Sequence, residues 1–151
     1  MTVTIRQATR DDVPAIVAMS EKFYANTVFA EWFEFNPETV ADIAATLASG
    51  HVMLLAEQGG RVVGMVGLWV LPFVFNTRHC AAYEVVWWVN PDAQGSGVGK
   101  ALLDAIEPAC KERGAEVIHM VHMANSPPQA AALYERLGYA HSESAYAKKV
   151  V

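Results

Sequence analysis

The chain has 151 residues, 53% hydrophobic and 18% charged, which suits one compact domain and excludes a disordered segment. A net charge of -5 with no block of basic residues argues against nucleic acid as the main partner and favours a cationic small molecule. No apolar run is long enough to span a membrane, and MTVTIRQATRDD lacks the apolar core of a signal peptide, so a cytoplasmic protein is expected.

In chain order, Thr2 to Ala8 alternates apolar and polar residues as a half-buried first strand. Val13 to Tyr24 carries Val13, Ile16, Val17 and Phe23 at helical spacing, with Pro14 near its start. Asn36-Pro37 reads as a cap and first helical residue, followed by the apolar face Val40, Ile43, Ala44 and Leu47 and a stop at Ser49-Gly50. His51 to Glu57 and Arg61 to Leu71 form two strands joined by a hairpin turn at Gln58-Gly59-Gly60. Pro72 to His79 reads as a loop leading into the strand Glu84 to Val89, which Asn90-Pro91 ends. A helix then runs to about Arg113-Gly114, with Pro108 expected to kink or shorten it. Glu116 to Met123 alternates as another strand, and Ser126-Pro127-Pro128-Gln129 matches a capping box with Pro at the first helical position. A short helix to Leu137 follows, then Tyr139 to Val151 as a final strand pairing near Tyr146. The order β-α-α-β-β-β-α-β-α-β implies a single α/β domain, residues 1–151, with a mixed sheet and helices on both faces.

The informative stretch is Gln94-Gly95-Ser96-Gly97-Val98-Gly99-Lys100, set between a strand and a helix. Glycines let successive N–H groups turn toward one point, and the helix N-terminus behind them adds unpaired donors, so the stretch is built to hold a phosphate. A Walker A loop is excluded because Gly99-Lys100 is followed by Ala101 and the first glycine position is Gln94. A dinucleotide fingerprint fails because its third glycine falls at Lys100 and the loop lies late in the chain. A zinc site from Cys80, His119 and His122 also fails: residues three apart on a strand point to opposite faces, so no metal is expected. Cys80 and Cys110 share no motif spacing and read as reduced thiols.

Gln94-x-x-Gly97-x-Gly99 after a strand ending V-N-P resembles motif A of the GNAT acyltransferases. Asn125 with Ala132-Leu133-Tyr134-Glu135-Arg136-Leu137-Gly138-Tyr139 is similar to that family's motif B. The resemblance implies an acetyl-CoA-dependent N-acetyltransferase with a splay between the strand of Glu84 and the strand after it. The pantetheine arm then pairs with main chain at Trp87, Trp88 and Val89. Gln94, Gly95, Ser96, Gly97, Val98, Gly99 and Lys100 clamp the pyrophosphate, and Asn125 contacts the arm.

Direct transfer to an amine needs a base, because an amine is almost wholly protonated at neutral pH. Glu84 opens an otherwise apolar strand where desolvation raises a carboxyl toward a working pKa. Its plain structural alternative is a solvent-facing carboxylate paired with Arg78, and His79 and His122 are the other candidate bases. The resemblance makes Tyr134 the acid that protonates the leaving sulfur. It also places the acceptor against Phe29, Trp32, Phe33 and Phe73, with Glu31 and Glu34 interspersed, which suits a small amine on an apolar or aromatic body. The same aromatics are compatible with helix packing or a homodimer interface. A peptide or protein N-acetyltransferase and a non-catalytic acyl-CoA-binding domain are the alternative functions.

Overall fold

The computed structural model describes residues 2–151. β1 (Val3–Gln7), α1 (Val13–Ala25) and α2 (Pro37–Gly50) come first, with a 3-10 turn at Val28–Glu31 between the helices. β2 (Val52–Gln58), β3 (Arg61–Phe73) and β4 (Asn76–Val89) follow, then α3 (Val98–Glu112), β5 (Val117–His119) and α4 (Pro128–Arg136). The strands form one mixed sheet in the order β1-β2-β3-β4-β5, antiparallel except for the parallel β4–β5 pair.

Local chemistry sets the helix ends. Asn36 Oδ1 accepts from the Thr39 N–H at 2.8 Å, and Pro37 takes the first position of α2, whose own amide needs no partner. α4 starts at Pro128 with Pro127 in the cap position, so the expected capping box is not made; Ser126 Oγ instead accepts from the Met123 N–H at 2.9 Å. α3 runs through Pro108 to Glu112 without a break. Pro108 is exposed, so the one carbonyl that loses its partner lies on the solvent side.

Each face of the sheet buries its own cluster. One face packs Val66, Leu68, Ala82, Trp87 and Val89 against Val98, Leu102 and Ile106 of α3 and Tyr134 of α4. The other packs Met65, Val85, Val86 and Trp88 against Ile16 and Met19 of α1 and Leu47 of α2. Among the described residues no helix is long and apolar enough to cross a membrane.

Three strand expectations need correction. Pro72 to His79 is not a loop, because β3 continues to Phe73, β4 begins at Asn76 and Phe73 pairs with Asn76. β2 reaches only as far as Leu68, so Pro72 has no strand on that side to disappoint. β5 has three residues rather than the eight of Glu116 to Met123. The final strand is absent: residues 140–151 are exposed and carry no helix or strand. Ser142, Glu143, Ser144, Lys148 and Lys149 leave the segment too little apolar surface on one face to offset the entropy of ordering it.

Candidate active site at the β4–β5 gap

β4 pairs with β5 only from Ala81 to Tyr83, while β4 itself continues to Val89. From Glu84 onward the edge of β4 turned away from β3 therefore has no strand beside it. The Val89 carbonyl points to this side, where Gln94 Nε2 donates to it at 3.1 Å. Main-chain groups alternate along a strand, so those of Trp87 share that edge.

A β-bulge decides which side chains reach the gap. Gly67 pairs with Val86 and Leu68 with Glu84, which leaves Val85 as the extra residue. Glu84 accordingly shares the α3–α4 face with Leu68, Trp87 and Val89. Trp88 turns to the α1–α2 face, where its Nε1–H donates to Asn90 Oδ1 at 2.9 Å.

Glu84 Oε1 and Trp87 Nε1 are both shut off from solvent without a hydrogen-bond partner in the protein. Burial pushes the Glu84 carboxyl up to about 8, against the opposing pull of the Val121 main chain and the Tyr134 hydroxyl. Tyr134 Oη donates to the Val121 carbonyl at 3.0 Å, and its ring lies 5.8 Å from that of Trp87. Burial first, and then the Glu84 charge, push the Tyr134 phenol well above its ordinary value, so it holds its hydrogen. Buried polar groups left unpaired cost stability, and their concentration at one end of a gap marks a site shaped for another molecule.

At the other end stands the glycine loop. Gly97, at φ 86°, supplies the left-handed residue from which α3 starts, a conformation costly for any residue with a Cβ. Ala101 N–H makes the first helical bond, to Gly97 O at 3.0 Å, so the amides of Val98, Gly99 and Lys100 precede the helical ladder. The Val98 side chain is a buried plug beneath them. A Cβ on Gly99 would stand 3.8 Å from both Trp87 and Val89, which puts this first turn directly beside the gap strand. Gly64 allows that approach from below: a Cβ there would meet Trp88 O and Val98 Cγ1 at 3.1 Å and Leu102 Cδ1 at 3.2 Å. Ser96 Oγ donates to Ala93 O. The Lys100 ammonium is turned to Asp104 at 2.6 Å rather than over the loop.

The remaining predicted residues fall elsewhere. Asn125 Nδ2 donates to Asn26 O at 3.1 Å, tying the segment after β5 to the α1–α2 connector. Asn125 lines a cavity of about 460 Å³ there, with Asn26, Thr27 and Glu31. Phe29 and Trp32 pack edge to face at 5.5 Å, Phe33 is 55% exposed, and Phe73 packs on Phe75 at the hairpin tip. A separate cavity of about 300 Å³ between α1, α2 and β4 takes its aromatic lining from Phe23, Tyr24 and Phe35, with Glu34 at its wall and Val85 and Val86 at its floor. Phe23 reads in sequence as part of the packing face of α1, and nothing in its spacing separates a cavity wall from a core. His122 Nε2 lies 3.1 Å from Pro127 O, while His119 stacks on Tyr83 at 4.8 Å and leaves Nε2 buried and unpartnered.

Comparison with known proteins bears on the family and the fold. The chain is 34% identical over 120 residues to the mycothiol acetyltransferase of Pseudarthrobacter chlorophenolicus, a match covering 76% of this chain and 36% of that protein. It is 28% identical to the L-amino acid N-acyltransferase MnaT of Escherichia coli, over 91% of this chain and 79% of that one. The chain thus spans only about a third of the mycothiol acetyltransferase it matches. Its fold superposes, at TM-score 0.73 and 16% identity, on a "predicted acetyltransferase with acetyl-CoA" of Clostridium acetobutylicum, covering 98% of this chain and 96% of that one. The profile of the acetyltransferase (GNAT) family matches residues 15–139, from α1 to the residue after Gly138, and the chain belongs to that family.

Proposed function

We propose that the protein is an N-acetyltransferase that takes its acetyl group from acetyl-CoA and passes it directly to the primary amine of a small molecule. The observation that carries this reading is the buried Glu84 carboxyl beside Tyr134 at the β4–β5 gap, with its Oε1 left without a partner. The residues fit the donor: the amides of Val98, Gly99 and Lys100 and the positive φ of Gly95 and Gly97 suit a pyrophosphate, and the free edge of β4 suits an extended arm. When bound, acetyl-CoA supplies an activated thioester carbonyl.

Glu84 is the proton acceptor. A carboxyl raised to about 8 binds a proton strongly enough to draw one from an ammonium, yet is part-ionised near neutral pH. Taking that proton removes the Glu84 charge that helps hold the Tyr134 hydrogen in place. Tyr134 becomes a better donor to a leaving sulfur at that moment, so proton uptake at one residue prepares proton release at the other. Main-chain N–H groups on the gap edge of β4 are placed to stabilise charge developing on a carbonyl oxygen.

The test is thiol release from acetyl-CoA against a panel of small amines and of peptides. Turnover on small amines that falls in Glu84→Gln supports the reading. Turnover on peptides alone removes the small-molecule acceptor, and tight acetyl-CoA binding with no turnover on either panel makes the chain an acyl-CoA-binding domain.

A further inference from the structure

We propose that the indole N–H of Trp87 is a hydrogen-bond donor to acetyl-CoA, directed at a carbonyl oxygen of its pantetheine arm. The inference rests on the acetyltransferase reading above and deepens it, because the gap strand then holds the arm with a side chain as well as with its main chain.

The Trp87 nitrogen is not explained by packing. Among the described residues three buried side-chain nitrogen or oxygen atoms lack a partner: Glu84 Oε1, Trp87 Nε1 and His119 Nε2. His119 and Tyr83 form the last pair of the β4–β5 ladder, and Glu84 and Trp87 follow on β4, so all three stand where the strands part. The neighbouring indole is satisfied: Trp88 Nε1–H, on the opposite face, donates to Asn90 Oδ1 at 2.9 Å. A phenyl or branched aliphatic side chain at position 87 would fill the α3–α4 face without burying an unpaired donor and bearing its desolvation cost.

The position of the indole fits the arm. A Cβ on Gly99 would stand 3.8 Å from Trp87 Cζ2, and Cζ2 and Nε1 are bonded to the same ring carbon. The N–H edge therefore lies beside the first turn of α3, where the amides of Val98, Gly99 and Lys100 precede the helical ladder. Tyr134 is the other neighbour, with its ring centre 5.8 Å from that of Trp87. The indole thus joins the anion-holding turn to the phenol assigned to the leaving sulfur, and the arm is the part of acetyl-CoA that runs between pyrophosphate and sulfur.

A neutral amide carbonyl suits a nitrogen closed to solvent, whereas a phosphate drawn to it would have to shed its water. The phosphates have the exposed Gly97 and Lys100 end of the loop instead. The N–H then has its partner only in the complex, so removing it should weaken the complex and spare the free protein.

The experiment replaces the indole by an isostere with sulfur in place of N–H, Trp87→benzothienylalanine, which keeps the packing on Tyr134 and α3. Acetyl-CoA, and ADP as a pyrophosphate without the arm, are titrated into both proteins by calorimetry, and the ligand-free Tm is measured. The acetyl-CoA Kd should rise about fivefold in the variant, with ADP affinity and Tm not lowered. In the unsubstituted protein the Trp87 indole N–H resonance, identified by its loss from the variant, should move downfield on saturation with acetyl-CoA. Unchanged acetyl-CoA affinity overturns the proposal, and with a lowered Tm it gives the N–H to the fold. Equal losses for both ligands also overturn it, by moving the bond to the phosphates. Acetyl-CoA binding that is equally tight in both proteins removes this inference alone, whereas an unsubstituted protein that does not bind acetyl-CoA removes the acetyltransferase reading with it.

Discussion

Glu84 and Trp87 stand three positions apart on β4 and project from the same face of the sheet. A regular strand would set them on opposite faces. The extra residue at Val85 reverses the alternation, so Val85 and Val86 both face α1 and α2 while Glu84 and Trp87 both face Tyr134. The bulge thereby brings a carboxyl, an indole and a phenol to one end of the gap.

The first prediction concerns rate and pH. Glu84→Gln should lower kcat/KM by roughly a hundredfold to ten-thousandfold, the usual worth of a positioned base. In the unsubstituted protein kcat/KM should rise with pH and level off above about 8, where the carboxyl is ionised. The Gln variant should lose that limb. A pH–rate profile for both proteins checks this, and an unchanged limb in the variant assigns the titration to another group.

Stability should respond to the same carboxyl with the opposite trend. Its folded value of about 8 lies above the ordinary 4.5, so between these values the unfolded chain is ionised while the folded protein keeps its proton. Unfolding then releases a proton, and the folded state loses stability as pH rises through that window, with the full cost present above about 8. Glutamine carries no such cost. Denaturant unfolding should show Glu84→Gln gaining on the unsubstituted protein as pH rises from 4 to 9, by on the order of a few kcal/mol. A difference that stays flat with pH contradicts a raised Glu84.

Tyr134→Phe should separate donation from binding. The hydroxyl's bond to Val121 O is worth about 1 kcal/mol, so the fold should persist with a small loss of stability. Acetyl-CoA affinity should be retained, because phenylalanine keeps the ring packed on Trp87 and removes only the hydroxyl. Turnover should drop by about tenfold or more. Calorimetric titration beside steady-state kinetics checks both halves, and full activity across pH would remove Tyr134 as a proton donor.

Gly64→Ala tests how closely α3 must approach the sheet. The new Cβ would press on Trp88 O, Val98 Cγ1 and Leu102 Cδ1, all within 3.2 Å, and the carbonyl belongs to a strand that cannot yield cheaply. A stability loss of about 1–3 kcal/mol is expected. Because Val98 opens α3, its displacement should also weaken acetyl-CoA binding, measured by the same titration. Unaltered affinity in a destabilised variant would uncouple the contact from the anion site.

The glycine loop, the strand before it, the helix after it and Tyr134 on its short helix were legible in the chain because each depends on neighbours in sequence. Glycine's tolerance of positive φ, a proline at a helix start and alternating apolar residues act over a few positions, and they single out the glycine loop and the family resemblance without a fold. Long-range packing decided the rest. Where β5 leaves β4 depends on pairing between segments far apart in the chain, and the bulge at Val85 depends on which β3 residues β4 meets. A single-residue shift in that pairing inverts every side chain beyond it, and no local pattern marks it in advance. The same dependence explains why the helical spacing of Phe23 does not separate a cavity wall from a core, and why the tail forms no strand. The identity of Glu84 could be read from the sequence. Its burial, which raises its pKa, was decided only when two faces of the sheet were packed and one edge of β4 was left without a neighbour.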